Sequence, residues 1–183
     1  MLNFFSLALC SLPLLAFVQF NPWLQPWQSR KVLHMGTGTL FMLADMTDVW
    51  VRLSVYGMAL VVMAAVGSRS TFHFAEVGDI GIVSYLFFCA ITAFLRIPFW
   101  QMAPLFYADP SGAIVGRSVR TPKLVGEKSV GGTLAVGVVA ALTMFHTPWT
   151  TRLLHGTAIA TIELFAGKWD NPAISTYLLL RVI

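Results

Sequence analysis

The sequence predicts an all-α integral membrane protein, a polytopic bundle of about seven or eight short transmembrane helices. Of its 183 residues, 57% are hydrophobic and only 11% are charged, whereas a soluble domain usually carries about 25% charged residues. The mean hydropathy is +0.74, and apolar runs recur along the whole chain between short loops. Lipid is therefore the expected solvent. We expect one domain over residues 1–183, because no linker or low-complexity segment divides the chain.

The apolar runs give the predicted helices in chain order. They cover residues 3–20, 32–47, 51–66, 80–95, 97–116, 130–146, 153–166 and 172–183. Several are shorter than the roughly 20 residues that a spanning helix needs, so they are expected to use flanking residues. The run 97–116 is interrupted by Pro98, Pro104 and Pro110. Such a segment is tolerated at membrane depth only where it faces protein or a wet cavity, whether it spans or is re-entrant, and it therefore marks a functional region.

The loops between the runs differ in charge. If every run spans, the cations divide into a set of eight on one face and a set of four on the other: Arg30, Lys31, Arg69, Arg117, Arg120, Lys123, Lys128 and Lys168 against Arg52, Arg96, Arg152 and Arg181. The positive-inside tendency places the first face in the cytosol. The net charge of +4 does not indicate a nucleic-acid partner, because the basic residues sit between apolar runs rather than in a stripe with aromatics.

The densest polar block lies at residues 106–135, FYADPSGAIVGRSVRTPKLVGEKSVGGTLA. Its glycines allow backbone N–H groups to approach phosphate oxygens, its cations neutralise phosphate charge, and Ser129 and Thr133 can begin a helix whose N-terminus favours anions. The predicted nucleotide-binding residues are Ser111, Gly112, Gly116, Arg117, Lys123, Lys128, Ser129 and Gly132. Asp109 can hold a magnesium ion or act as general base towards a hydroxyl. A basic loop that only binds lipid head groups is the alternative interpretation.

A second candidate cluster begins the second run. Arg30, Lys31 and His34 are three and four residues apart, so they share a helical face. Together they can contact a phosphate or the reacting hydroxyl. The alternative is that Arg30 and Lys31 are an ordinary anchor beside a membrane helix.

A third cluster is acidic and lies near the end of the chain. Glu163 stands in an otherwise apolar run, where a carboxylate needs a cationic partner or a metal ion. Asp170 follows, and Asp170-Asn171-Pro172 also suits a turn that begins a helix. Asp109, Glu163 and Asp170 are the predicted magnesium ligands, while Asp79 is expected to cap the helix that begins beside it.

In this order the clusters resemble the CTP-dependent lipid-alcohol kinases, a family that includes dolichol kinase, phytol and farnesol kinase and the yeast-type CTP-dependent diacylglycerol kinase. The resemblance covers roughly residues 29–175. The matching elements are Arg30-Lys31-x-x-His34, DIGIVSY at 79–85, Ala108-Asp109 to Gly116-Arg117, Lys128-Ser129-x-x-Gly132-Thr133, Glu163 and Asp170-Asn171. The chain departs from the family pattern at Pro172, which follows Asn171 directly instead of after a Leu-x-x-Pro-like spacing.

The resemblance implies transfer of the γ-phosphoryl group of CTP to a membrane lipid alcohol, such as a polyprenol, phytol or diacylglycerol, with Mg²⁺ as cofactor. It implies a multi-pass protein of the endoplasmic reticulum or plastid envelope, if eukaryotic, with a cytosolic active face. A phosphatidate cytidylyltransferase uses the same nucleotide and is the first alternative, although its basic C-terminal signature with paired aspartates is not visible. A membrane transporter is the more distant alternative.

Overall fold

Each predicted apolar run contains a helix. The computed structural model describes residues 1–67, 72–75 and 78–182, so Arg69 and Glu76 lie outside the described residues. The α-helices are α1 Phe4–Phe20, α2 Pro26–Leu43, α3 Val49–Gly67, α4 Ile80–Phe94, α5 Ala103–Ser118, α6 Val130–Thr143, α7 Trp149–Ala166 and α8 Asp170–Val182. The interrupted run begins with a short 3-10 helix, Phe99–Met102, before α5. A second 3-10 turn, Gly167–Trp169, joins α7 to α8. The prediction of a mostly helical, all-α chain is confirmed.

Strand structure is confined to one antiparallel hairpin in the described chain. β1, Lys123–Val125, pairs with β2, Lys128–Ser129. Gly126 in the turn has a φ of +54°, a left-handed conformation that glycine adopts without steric cost. The sequence does not predict these strands, because they are too short and too exposed to give an alternation of apolar and polar residues.

Helix length bears on the membrane prediction. Within the described residues, α3 is the helix that is both long and apolar enough to cross a bilayer. The apolar helices α1, α4 and α6 have 17, 15 and 14 residues. At 1.5 Å per residue, 15 residues extend about 22 Å, less than the roughly 30 Å hydrocarbon core. The structure therefore supports membrane association through one helix, and the multi-pass bundle stays a prediction.

The chain divides into two compact units, Met1–Trp100 and Gln101–Ile183. In the first unit α1 packs on α2 and α3 packs on α4. A core cluster of Leu7, Ala44 and Val51 forms where these helices meet. The backbone N–H of Leu2 donates to the carbonyl oxygen of Leu43 (2.7 Å), which fastens the N-terminal segment to the end of α2.

In the second unit, consecutive helices α5, α6, α7 and α8 pack pairwise, and glycines allow the closest approaches. A Cβ atom added at Gly132 would lie 2.9 Å from the carbonyl oxygen of Gly112, and one added at Gly156 would lie 2.5 Å from that of Gly137. Backbones this close leave no room for a larger residue. The hairpin joins α5 to α6, and a short turn joins α7 to α8. Both connections lie at the same end of the unit, because Lys128 of the hairpin contacts Glu163 and Asp170 beside that turn.

Candidate functional site

Asp109 is carried by α5, the helix that contains two prolines. Pro104 lies in the first turn, where its missing N–H removes no helical hydrogen bond. Pro110 lies inside the helix, and because it has no N–H it removes one helical hydrogen bond in the turn beside Asp109. Asp109 is nevertheless 95% buried, with a relative exposure of 5%. A carboxylate in such a place requires compensation by polar or charged neighbours.

The hairpin carries two lysines with different environments. Lys123 Nζ lies 2.8 Å from Glu127 Oε2 on the exposed side, and the pair lowers the pKa of Glu127, first through the hydrogen bond and then through the charge of Lys123. Lys128 instead reaches the helices. Its Nζ donates to Glu163 Oε1 and, at 3.2 Å, to Asp170 Oδ2.

The two carboxylates that Lys128 contacts, together with the nearby Asp109, define an acidic cluster, which comprises Asp109, Lys128, Glu163 and Asp170. The four residues come from α5, the hairpin, α7 and α8. The charge of Asp109 acts on both Glu163 and Asp170. When all are ionised, the cluster contains three carboxylates and one ammonium, so its own charges sum to two negative charges. Oε2 of Glu163 is buried and has no hydrogen-bond partner among the described residues.

Lys128 stays cationic at neutral pH in this environment. Burial by itself lowers the pKa of Lys128, but the hydrogen bond that Lys128 donates to Glu163 and the charges of Asp170 and Glu163 outweigh it, so the pKa is raised above its ordinary value. Lys128 is therefore suited to bind an anion rather than to act as a base.

The predicted magnesium ligands can be compared with this geometry. In the part of the chain that the structure describes, no three His, Cys, Asp or Glu side chains are arranged to hold a metal ion. The ammonium of Lys128 lies between Glu163 and Asp170 instead. The excess negative charge and the buried, unpartnered Oε2 of Glu163 nevertheless fit a hard divalent cation, which prefers carboxylate oxygens. Magnesium binding stays a prediction.

The predicted phosphate-binding glycines lie in helices rather than in a loop. Gly112 and Gly116 are within α5, and Gly132 is in the first turn of α6. A Cβ added at Gly116 would lie 3.2 Å from Ser129 Oγ. In this structure the glycines let α5 and α6 approach closely. Ser111 lies on α5 as well, and its hydroxyl donates to the carbonyl oxygen of Ala108 (2.7 Å).

The prediction that Ser129 begins a helix is confirmed, since Ser129 is the N-cap of α6. The first N–H groups of α6 are already used by the preceding chain. Val130 N donates to the carbonyl oxygen of Pro122 (2.9 Å), Gly131 N donates to Thr121 Oγ1 (2.9 Å), and Gly132 N donates to Ser129 Oγ (3.3 Å). An anion at this N-terminus would have to displace these contacts.

Arg117 lies in the last turn of α5 and is exposed. A cation there is favoured by the negative end of the helix dipole. Arg117 and Lys123 both belong to the hairpin end of the second unit, the end that also carries Lys128. Their positions are compatible with the predicted contact to phosphate, which stays a prediction.

In the first unit, Arg30 forms an ion pair with Asp79, at 2.7 Å between Nη1 and Oδ2. Asp79 also caps α4, because its Oδ1 accepts from Ile82 N (3.2 Å), which confirms its predicted role. Gly81 makes room for the arginine, since a Cβ there would lie 2.1 Å from Arg30 Nη2. Arg30 therefore fastens α2 to the start of α4 in this structure.

His34 lies one turn further along α2, buried against α4. Its ring contacts the ring of Tyr85 with 4.1 Å between centroids. The Tyr85 hydroxyl donates to the carbonyl oxygen of His34 (3.1 Å) and shares a hydrogen bond with Thr37 Oγ1 (2.9 Å). Arg30 and His34 thus use the same face of α2, as their spacing predicts, and Lys31 is half-buried beside them. Contact of the trio with phosphate stays a prediction.

Two groups of residues form contacts that the sequence does not predict. Thr121 holds the start of α6, and nothing in its exposed, polar loop distinguishes it from its neighbours. Tyr177 and Arg181 are partners of His155 and His146 at the other end of the second unit. Their spacing of four residues on one helix face was the signal that could have identified them.

Comparison of the chain with models of protein families, with curated proteins and with solved structures found no match. The family resemblance of the ordered motifs therefore stays a prediction. Any functional proposal for this chain depends on its own residues and their geometry.

Proposed function

We propose that the protein is a membrane-bound phosphotransferase that transfers the γ-phosphoryl group of CTP to the hydroxyl of a lipid alcohol, a polyprenol, phytol or a diacylglycerol. The convergence of Asp109, Lys128, Glu163 and Asp170 from four separate segments is the observation that carries the proposal. Ionisable side chains buried in an apolar helical unit are costly and are usually retained for function. The order of the motifs supports CTP as the donor.

Exposed apolar surface supports a lipid acceptor. Leu134, Val138 and Leu142 recur every four residues on α6, so they lie on one face, and each is more than half exposed. Together with α3, this face supports a location in a bilayer, where a lipid alcohol would reach the site without leaving the membrane. The multi-pass arrangement belongs to the same proposal.

Phosphoryl transfer depends mainly on positioning and on neutralising charge, and the cluster has groups for both tasks. In our proposal, phosphate oxygens replace Glu163 and Asp170 as partners of Lys128, which is already cationic. Arg117 and Lys123 lie at the same end of the unit and would hold the outer phosphates. Arginine is suited to this role because its planar guanidinium donates two parallel hydrogen bonds to phosphate.

Glu163 and Asp170, which Lys128 would release, would hold a magnesium ion together with Asp109. The bound ion would neutralise negative charge on the transferred phosphate. Asp109 has a second possible role, because a carboxylate within hydrogen-bond reach of the lipid hydroxyl can accept its proton. Arg30, Lys31 and His34 are proposed to contact phosphate or the acceptor, which requires Arg30 to exchange its partner Asp79.

The test is a transfer assay with purified protein in lipid nanodiscs, CTP labelled at the γ-phosphate, and a panel of polyprenol, phytol and diacylglycerol, with ATP as the comparison nucleotide. We expect label on one lipid class, and loss of at least about 100-fold in Lys128→Ala and Asp109→Asn, because such groups usually contribute that much to a rate. Arg52→Gln is the control, since Arg52 donates to the carbonyl oxygens of Met46 and Thr47 in the other unit.

Two outcomes would contradict the proposal. A cytidylyltransferase would release the γ-label in pyrophosphate and leave the lipid unlabelled. With CTP labelled at the α-phosphate, it would instead label the lipid. Full γ-phosphoryl transfer by folded Lys128→Ala protein would show that the acidic cluster is not the site.

A further inference from the structure

A second polar cluster lies at the other end of the second unit, away from the hairpin. It comprises His146, Arg152, His155, Tyr177 and Arg181, and we refer to it as the basic cluster. His146 follows α6, Arg152 and His155 lie in the first two turns of α7, and Tyr177 and Arg181 lie in the last turns of α8. The proposed phosphotransferase reaction uses none of these residues.

Arg181 is the centre of the basic cluster. Its Nη2 lies 3.1 Å from His146 Nε2, and its charge acts on His146, His155 and Tyr177. The Tyr177 hydroxyl is hydrogen-bonded to His155 Nδ1. Nη1 of Arg181 is buried and has no hydrogen-bond partner among the described residues. A buried guanidinium donor without an acceptor is costly, which indicates that an acceptor binds there.

Arg152 adds a second positive charge. Its Nε donates to the carbonyl oxygen of Thr147 (2.7 Å), and its Nη2 donates to that of Phe145. Burial, with the charges of Arg181 and Arg152, lowers the pKa of His146, so this histidine is neutral at neutral pH and can accept from Arg181. The basic cluster therefore carries the two positive charges of Arg152 and Arg181, and His146 adds no third positive charge to them.

No carboxylate compensates these cations within ion-pair distance in the described ranges 1–67, 72–75 and 78–182. The nearest acids along the helices are Glu163, eight residues after His155, and Asp170, eleven residues before Arg181. At 1.5 Å per residue these separations are about 12 and 16 Å along the helices, far beyond ion-pair contact. Among the described residues, the two arginines of the basic cluster thus have no carboxylate partner.

We propose that the basic cluster binds the phosphate group of an anionic membrane lipid. Guanidinium groups match phosphate oxygens in geometry and charge, and a bound phosphate would supply the acceptor for Arg181 Nη1. The surrounding surface suits a lipid, because Phe145 (59% exposed), Trp149 (56%) and Leu180 (75%) lie beside the cluster in sequence. Aromatic and basic residues together are typical of the membrane–water interface. This site is independent of the phosphotransferase proposal.

The experiment measures lipid retention by purified protein with native mass spectrometry, after titration with phosphatidic acid or with phosphatidylcholine. We expect retention of phosphatidic acid over phosphatidylcholine, and weakening of at least about tenfold in Arg181→Gln, as for loss of one charge-assisted hydrogen bond. Arg52→Gln should bind as the parent protein does, because Arg52 also donates to two backbone carbonyls but lies in the first turn of α3, outside the basic cluster.

A competition arm identifies the source of the phosphate. If millimolar inorganic phosphate displaces phosphatidic acid, the site takes soluble phosphate as well, and the phosphate assignment is supported. Arg152→Gln, which removes the second positive charge of the basic cluster, replaces Arg181→Gln if that protein does not fold. Equal retention of the two lipids, or unchanged retention of phosphatidic acid in the folded variants, would overturn the proposal.

Discussion

Lys128 is held between two carboxylates, and the consequences of removing it follow from that arrangement. Glu163 is 5% exposed at its side chain, and Lys128 is 27% exposed. Removing one partner of a buried ion pair leaves the other charge without compensation, at a cost of about 3–5 kcal/mol in fully buried cases. The partial exposure of Lys128 admits some solvent screening and reduces this cost.

We predict that Lys128→Gln lowers the free energy of unfolding by about 2–4 kcal/mol, measured by reversible chemical unfolding in detergent micelles. Lys123→Gln is the matched control on the same hairpin. Its pair with Glu127 is exposed on both sides, so we expect no measurable loss, because solvent screens an exposed pair. Adding Glu163→Gln to Lys128→Gln should restore part of the stability, because the uncompensated charge is then removed. Equal losses in the two single variants would contradict this account of the pair.

The ion pair between Arg30 and Asp79 can be broken by either of two independent substitutions. Arg30→Gln removes the charge, whereas Gly81→Ala keeps it but places a methyl group where the guanidinium lies, 2.1 Å from Nη2. We predict that each variant loses about 1–2 kcal/mol of unfolding free energy, in line with a hydrogen bond to a charged group. The double variant should lose no more than either one, because both remove the same contact. Additive losses in the same unfolding assay would show that Gly81 has another role.

At the scale of helices, the glycines of the second unit decide how closely α5, α6 and α7 approach. Gly132 faces backbone, since the nearest atom to an added Cβ is the carbonyl oxygen of Gly112 at 2.9 Å. Backbone cannot rotate away as a side chain can, so the helices would have to separate. Gly57 on α3 has nothing within 4 Å of the same position.

We predict opposite effects for alanine at these two glycines. Alanine in a helix interior is favoured over glycine by about 0.5–1 kcal/mol, so Gly57→Ala should raise the midpoint of thermal unfolding by a few degrees. Gly132→Ala should lower it, because overpacking at a close helix crossing typically costs about 1–3 kcal/mol. Scanning fluorimetry of the two purified variants measures both shifts. A raised midpoint for Gly132→Ala would contradict the close packing of α5 on α6.

The helices could be predicted from the sequence, because apolar runs and short polar loops are local properties. The hairpin could not, since Lys123–Ser129 carries no alternating apolar pattern. Nor could the partner of Lys128: Glu163 is 35 residues away, and only helix packing brings them together. The role of the glycines could not be predicted either, because the spacing of Gly112 and Gly116 suits a phosphate-binding loop and a close helix crossing equally. The fold brings the predicted residues Asp109, Lys128, Glu163 and Asp170 near one another, and their roles in a site stay a prediction.

At the scale of the molecule, the two polar clusters of the second unit lie at opposite ends of α7 and α8. The acidic cluster is near the end of α7 and the start of α8, and the basic cluster is near the start of α7 and the end of α8. α7 has 18 residues, which is about 27 Å at 1.5 Å per residue. That length approaches the hydrocarbon thickness of a bilayer, about 30 Å. If the second unit spans the membrane, the clusters face opposite aqueous phases.

This arrangement can be tested with single cysteines at exposed positions of each end. The exposed Cys10 is first replaced by serine and the buried Cys89 by alanine. Two single-cysteine proteins are then made from this parent, one with Leu124→Cys on the hairpin and one with Thr150→Cys at the start of α7. In sealed, oriented vesicles, a membrane-impermeant maleimide should label one of the two from outside and the other only after permeabilisation. Labelling of both cysteines from the same side would mean that α6 and α7 do not cross the bilayer. The phosphotransferase site and the lipid-phosphate site would then share one membrane face.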